Sequence, residues 1–223
     1  MKLRLPIFIL LLFTACSSLP RPNRKSNADN VVQLKMTKAE AKARMPFVSH
    51  AGPGSFDNAL ALNVAYEPIR SLRAPIETLI GRQLDYLKTW GPDGEAHVTI
   101  ITPPEFAGVL GKRLTMPEIE AIASKHEIQK SDLEFLGIGS GRKEIGGKTE
   151  ETFFVIVISS RLSLIRVKIW EEYVRKGGNP ADWDPTWFFP HITIGYTKTD
   201  IHEPDVMKNI RGSWNPQLRL IIK

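Results

Sequence analysis

Two short apolar segments far apart in the chain, Ala96-His-Val-Thr-Ile-Ile-Thr-Pro103 and Pro190-His-Ile-Thr-Ile-Gly-Tyr-Thr197, carry the same pattern, His-x-Thr. Both are rich in β-branched residues and bounded by turn formers, so both are expected to be strands. On a strand, side chains two positions apart share a face. His97 and Thr99 therefore project together, as do His191 and Thr193, while Val98, Ile100, Ile192 and Ile194 face the other way. The apolar set belongs against helices, which leaves the two His/Thr sets facing a groove. A lone His-x-Thr arises often by chance. A single strand histidine can be a satisfied, half-buried side chain, and a threonine a mere strand former. The constraint comes from the pair.

The intervening sequence places the two motifs in similar surroundings. A strand is expected over Ala59–Tyr66, then a helix from Pro75 with Ile76, Leu79, Ile80, Leu84 and Leu87 on one side, then the first motif strand. Thr115 and Glu118 form a capping-box start for a helix carrying Ile119, Ile122 and Ala123 inward. A strand over Leu133–Ile138, a Gly/Lys-rich turn over Gly139–Thr149, an apolar strand Thr152–Ile158 and a helix Arg161–Lys176 lead to the second motif, and Leu218–Ile222 reads as a last strand. Each half thus runs strand, helix, His-x-Thr strand. The expectation is an α+β fold of two pseudo-symmetric lobes of antiparallel sheet, with outer helices around a central groove.

The N-terminus speaks to location. Lys2 and Arg4 precede an apolar run, Leu5–Ala15, too short to span a bilayer, and Phe13-Thr-Ala-Cys16 closes it. This resembles a bacterial lipobox: residues 1–15 would be a signal peptide and Cys16, the single cysteine, the lipidated first residue of the mature protein. A cleaved signal followed by a chance cysteine is the plainer alternative. With lipidation, the acyl chains would hold the protein on a membrane that nothing in the chain crosses, and Ser17 after the cysteine points by the usual sorting rule to the outer membrane, facing the periplasm. Ser17 to Met45 carries seven Lys/Arg against Asp29 and Glu40, whereas Pro46 to Lys223 carries 21 Lys/Arg against 22 Asp/Glu. The basic balance therefore sits in an expected tether, residues 16–45, and is no sign of a nucleic-acid groove in the expected domain, 46–223.

Two imidazoles and two hydroxyls on converging strands suit a phosphoester. Hydroxyls donate to non-bridging oxygens, while one neutral histidine takes a proton and a protonated one gives it. Other candidates carry less. His126 suits a helix end, and His50 and His202 fall in loops. No metal-binding spacing is present, so no metal or cofactor is expected. Gly137-Ile-Gly-Ser-Gly141 lacks the Lys-Ser/Thr and helix of a phosphate loop and reads as a turn. Arg142, Lys143 and Lys148 could reach a substrate phosphate or simply line a solvated hairpin. Trp187, Phe188 and Phe189 could stack on a base or belong to the core. Tyr196 should point away from the groove.

With these residues in view, the chain resembles the two-histidine (2H) phosphoesterase superfamily. Asp184-Pro-Thr-Trp-Phe-Phe-Pro-His-Ile-Thr-Ile-Gly195 is similar to that family's second motif with its aromatic-Pro lead-in, and the segment from Phe135 through Ser159 and the following helix to what precedes it there. The resemblance covers roughly residues 59–222 and is nearest the RNA-repair-like branch; other members are ligases of 2′,5′ RNA bonds and cyclic nucleotide phosphodiesterases. It implies His97 and His191 as the acid/base pair, Thr99 and Thr193 as phosphate holders, a bilobal fold and no metal. The expected activity is hydrolysis of a 2′,3′-cyclic or related nucleotide or RNA-end phosphodiester. The alternative is an inactive envelope lipoprotein that binds a nucleotide or other phosphorylated ligand. No protein partner is expected.

Overall fold

The computed structural model describes residues 31–54, 57–88 and 93–223. Cys16 and the signal segment lie outside the described residues. The elements run β1 (Val32–Met36), α1 (Lys38–Lys42), β2 (Leu60–Asn63), α2 (Tyr66–Arg70), α3 (Arg73–Ile80), β3 (His97–Ile101), α4 (Pro103–Gly108), α5 (Met116–Lys125), β4 (Glu134–Ile145), β5 (Lys148–Ile158), α6 (Ser160–Arg175), β6 (His191–Tyr196), α7 (Ile210–Ser213) and β7 (Leu218–Ile222). The α+β class is as expected. Strands of both halves join in one antiparallel five-stranded sheet, ordered β2-β3-β6-β5-β4, so the halves meet edge to edge.

A second, parallel sheet pairs β1 with β7. Leu34 and Met36 are buried, and Lys38 N donates to Lys223 O. The folded unit thus begins at Val31, ahead of Pro46, and takes in residues assigned above to the tether. Composition hid this strand: Gln33 and Lys35 face solvent, and only the alternation of Leu34 and Met36 betrays it.

One face of the five-stranded sheet is the main core. Val98, Ile100, Phe153, Val155, Val157, Ile192 and Ile194 are buried there with Leu162, Ile165, Ile169 and Tyr173, the apolar stripe of α6. Ser159 caps α6, accepting from Leu162 N, and Gly81, at φ 67°, ends α3 at Ile80 instead of letting it reach Leu87. Leu84 is buried all the same, beyond the helix.

The turn expected over Gly139–Thr149 is far tighter. β4 runs on to Ile145, and Gly146-Gly147, at φ 61° and 74°, connects it directly to β5, as two-residue hairpins demand. Gly139 and Gly141 lie opposite Phe154 and Thr152. A Cβ on Gly139 would collide with the Phe154 ring, and one on Gly141 with Val206. These glycines belong to a strand because the layer above approaches its backbone too closely for a side chain.

Candidate active site

β3 and β6 are neighbours at the centre of the sheet, in antiparallel register through Val98 and Ile192. Continuing that register sets His97 across from Thr193 and Thr99 across from His191. The two histidines are then diagonal neighbours, on the order of 7–8 Å apart along the backbone. Asn63 flanks His97 on β2, while Phe154 and Ile156 flank Thr193 and His191 on β5. His97 and Thr193 are buried, and Thr99 and His191 are half-buried, so the diagonal opens to solvent at the Thr99/His191 end.

The loop before the second motif is fixed from below. Arg166 of α6, 1 % exposed, sends Nη1 to Ile100 O (2.6 Å), Nε to Pro185 O (2.9 Å) and Nη2 to Trp187 O (3.0 Å) and Glu105 Oε1 (2.9 Å). Glu105 also accepts from Trp183 Nε1 and closes the capping box of Thr102 just after β3. One guanidinium therefore ties the end of the first motif strand to the approach of the second. Phe188 lies beneath that guanidinium in the core, whereas Trp187, 56 % exposed, meets Phe189 edge-on at 5.0 Å.

The Phe189 carbonyl then orients His191, whose Nδ1 lies 2.8 Å from it. A carbonyl only accepts, so Nδ1 carries the proton and Nε2 keeps its lone pair. Burial, followed by the nearby Lys208 ammonium, lowers His191 to about 3. His97 is likewise lowered to about 3, by burial first and then by His50. Both imidazoles are thus neutral at neutral pH.

The segment after β6 folds back over this face. Ile201 and Val206 pack with Phe154 and Ile156 in a small second cluster, and Asp200 and Lys208 are buried beside it. Asp200 Oδ2 accepts from Thr193 Oγ1 (2.9 Å), and Oδ1 accepts from Thr152 Oγ1 (2.6 Å) and Lys208 Nζ (2.7 Å). His202 Nε2 is 3.6 Å from Oδ2. Burial alone would raise the carboxyl, but Lys208, His202 and His191 together hold it well below the usual carboxylate range.

Thr152, Asp200 and Lys208 were not singled out as site residues in the sequence. His50 and His202, placed there in loops, both border the site: His50 is buried beside Asn63 and lowers His97, and His202 lies against Asp200. His126 caps the end of α5, as expected. Tyr196 sends its hydroxyl to Tyr86 O. Arg142 and Lys143 pair with Glu151 and Asp205 at 2.6 Å. Among the described residues no group of three or more His, Cys, Asp or Glu could hold a metal ion, and no helix is long and apolar enough to cross a membrane.

A family model described as Swiss Army Knife, 2H phosphoesterase domain, matches residues 60–202, from β2 through both motifs to His202. No curated protein and no solved structure matches the chain.

Proposed function

The chain belongs to the 2H phosphoesterase family, and from that premise we propose that it hydrolyses a 2′,3′-cyclic or related nucleotide or RNA-end phosphodiester without a metal ion. The observation that carries this is the diagonal of the four motif residues across β3 and β6. A phosphate seated on the diagonal meets an imidazole and a hydroxyl from each strand. His191, its Nε2 aimed away from the Phe189 carbonyl, takes the proton of an attacking water. The new P–O bond forms as the bond to the ribose oxygen breaks, and His97 protonates that oxygen. Thr99 and Thr193 hold the non-bridging oxygens. The negative charge of the substrate favours the imidazolium of His97, which takes its proton from solvent as the substrate binds and which burial otherwise keeps neutral. In this reading Trp187 and Phe189, which meet edge-on ahead of His191, stack on the base of the substrate. In this reading Cys16 carries the lipid anchor, and the enzyme works at the envelope, on the outer membrane facing the periplasm.

The test is hydrolysis of 2′,3′-cyclic nucleotides and of a short RNA with a cyclic phosphate end, in chelator, beside His97→Ala and His191→Ala. Turnover that survives chelator and vanishes in both variants supports the reading, and the position of the product phosphate names the bond cut. Full turnover in the double variant would sink it.

The second reading, binding without turnover, draws on the resting site itself, where both histidines are neutral and Thr193 is engaged by Asp200. Equilibrium binding of the same compounds without product would favour it.

A further inference from the structure

The donors on the His/Thr face already hold an anion, and it is the protein's own. Thr152 from β5, Thr193 from β6 and Lys208 from the returning segment converge on the single carboxylate of Asp200, at 2.6, 2.9 and 2.7 Å. Thr193 is also the hydroxyl given above to the substrate phosphate. A hydroxyl has one proton to donate, so Asp200 and a phosphate oxygen cannot both accept it. Nor would a phosphate settle beside an ionised carboxylate in so dry a place, because like charges repel strongly there.

Lys208 sharpens the conflict. Its ammonium is 3 % exposed and lies 5.3 Å from the centre of the Phe154 ring, which is itself 5.6 Å from the His191 ring. A buried ammonium needs an anion as partner, since an unpaired charge is strongly disfavoured away from water. Which anion is a matter of competition.

We propose that Asp200 is an internal occupant of the phosphate subsite, displaced when substrate binds, and that Lys208, with Thr152 and Thr193, then holds the phosphate's non-bridging oxygens. The proposal rests on the reading that this face receives a phosphoester. The exchange keeps the site's charge balanced, one monoanion replacing another beside the same ammonium. The departing carboxylate has somewhere to go: Lys198 and Thr199 are exposed, and beyond Asp200 the returning segment is held by the apolar contacts of Ile201 and Val206 and by two half-exposed polar ties, Lys143 to Asp205 and Trp187 to Glu203. Substrate entry and the opening of that segment become one event.

Amide hydrogen exchange of the wild-type protein, with and without inorganic phosphate, tests the displacement. Phosphate should speed exchange at Asp205 and Val206, whose amides both bond His202 O in the closed segment. Slower or unchanged exchange overturns the proposal. A second arm measures phosphate affinity by calorimetry. Asp200→Asn, which empties the subsite of its competing charge, should bind phosphate at least about tenfold more tightly than wild type, and Lys208→Met should lose the binding. Equal or weaker binding by Asp200→Asn also overturns it, and if that variant does not fold, the wild-type exchange decides alone. Phosphate-induced opening without hydrolysis of any ester would remove the hydrolase reading and leave this inference standing. Hydrolysis with unchanged exchange would do the reverse.

Discussion

Val98 of β3 lies directly opposite Ile192 of β6, and both side chains are fully buried in the main core. This pair sets the site, because in an antiparallel ladder a shift of one residue turns every side chain to the other face. Two residues with no chemistry of their own decide that His97, Thr99, His191 and Thr193 share one surface. Replacing either with a polar residue should therefore damage activity and stability together.

Ala in place of His97 or of His191 should lower turnover by about 10²- to 10⁴-fold, the usual worth of one general acid or base. Far-UV circular dichroism should show the fold retained. The double variant should lose little more than the worse single one, because in the proposed mechanism the two act in one step.

Acid should destabilise the native state sooner than the carboxylates alone would dictate. An unfolded histidine binds a proton below about 6.5, whereas His97 and His191 in the fold do so only near 3, so the unfolded state gains protons first. Their stability is present above pH 6.5 and is lost as pH falls towards 3. Between pH 7 and 5, His97 should account for about 2 kcal/mol, and the half-buried His191 for less. Urea titrations at the two pH values check this, and His97→Gln should flatten the difference.

Gly139→Ala should cost about 1–3 kcal/mol, because its methyl would enter the Phe154 ring. Phe154 packs edge-on against His191, so the displaced ring should also slow turnover. Gly146→Ala, with open space around its Cβ, provides the contrast: it pays only for its positive φ, and turnover should not change.

Arg166→Met should destabilise by about 3–5 kcal/mol, since it strips the guanidinium from Glu105 and from the carbonyls of Ile100, Pro185 and Trp187. Arg166→Lys should rescue little, because a single ammonium cannot reach so many acceptors at once. Thermal unfolding of the two variants measures both effects.

The parts of the fold legible in the sequence are those with local patterns. The alternation around His97 and His191, the stripe of α6 and the capping box of α5 all speak within a few residues. The shared sheet was not legible, since the edge-to-edge meeting of β3 and β6 is decided between residues far apart in the chain. β1 was hidden by its polar composition, and also because its partner is the last strand. In the site, the motif residues stood out because two of a kind recur. Asp200, His202 and Lys208 follow the second motif in a segment of mixed polarity without periodicity, and Lys208 lies beyond the stretch that matches the family. Nothing local distinguishes a lysine that turns inward from one that turns out. The strand glycines misled because a missing side chain looks the same whether the backbone bends or is crowded.

The parallel pairing of β1 with β7 also bears on how the molecule is made. A ribosome releases Val32–Met36 near the start of the folded unit and Leu218–Ile222 at its close, so the small sheet has to wait for nearly the whole chain. Until then Leu34 and Met36 have no ladder to join, and the nascent protein carries an unmated edge. Loss of even the last few residues should leave that edge open for good and turn a closed domain into a sticky one.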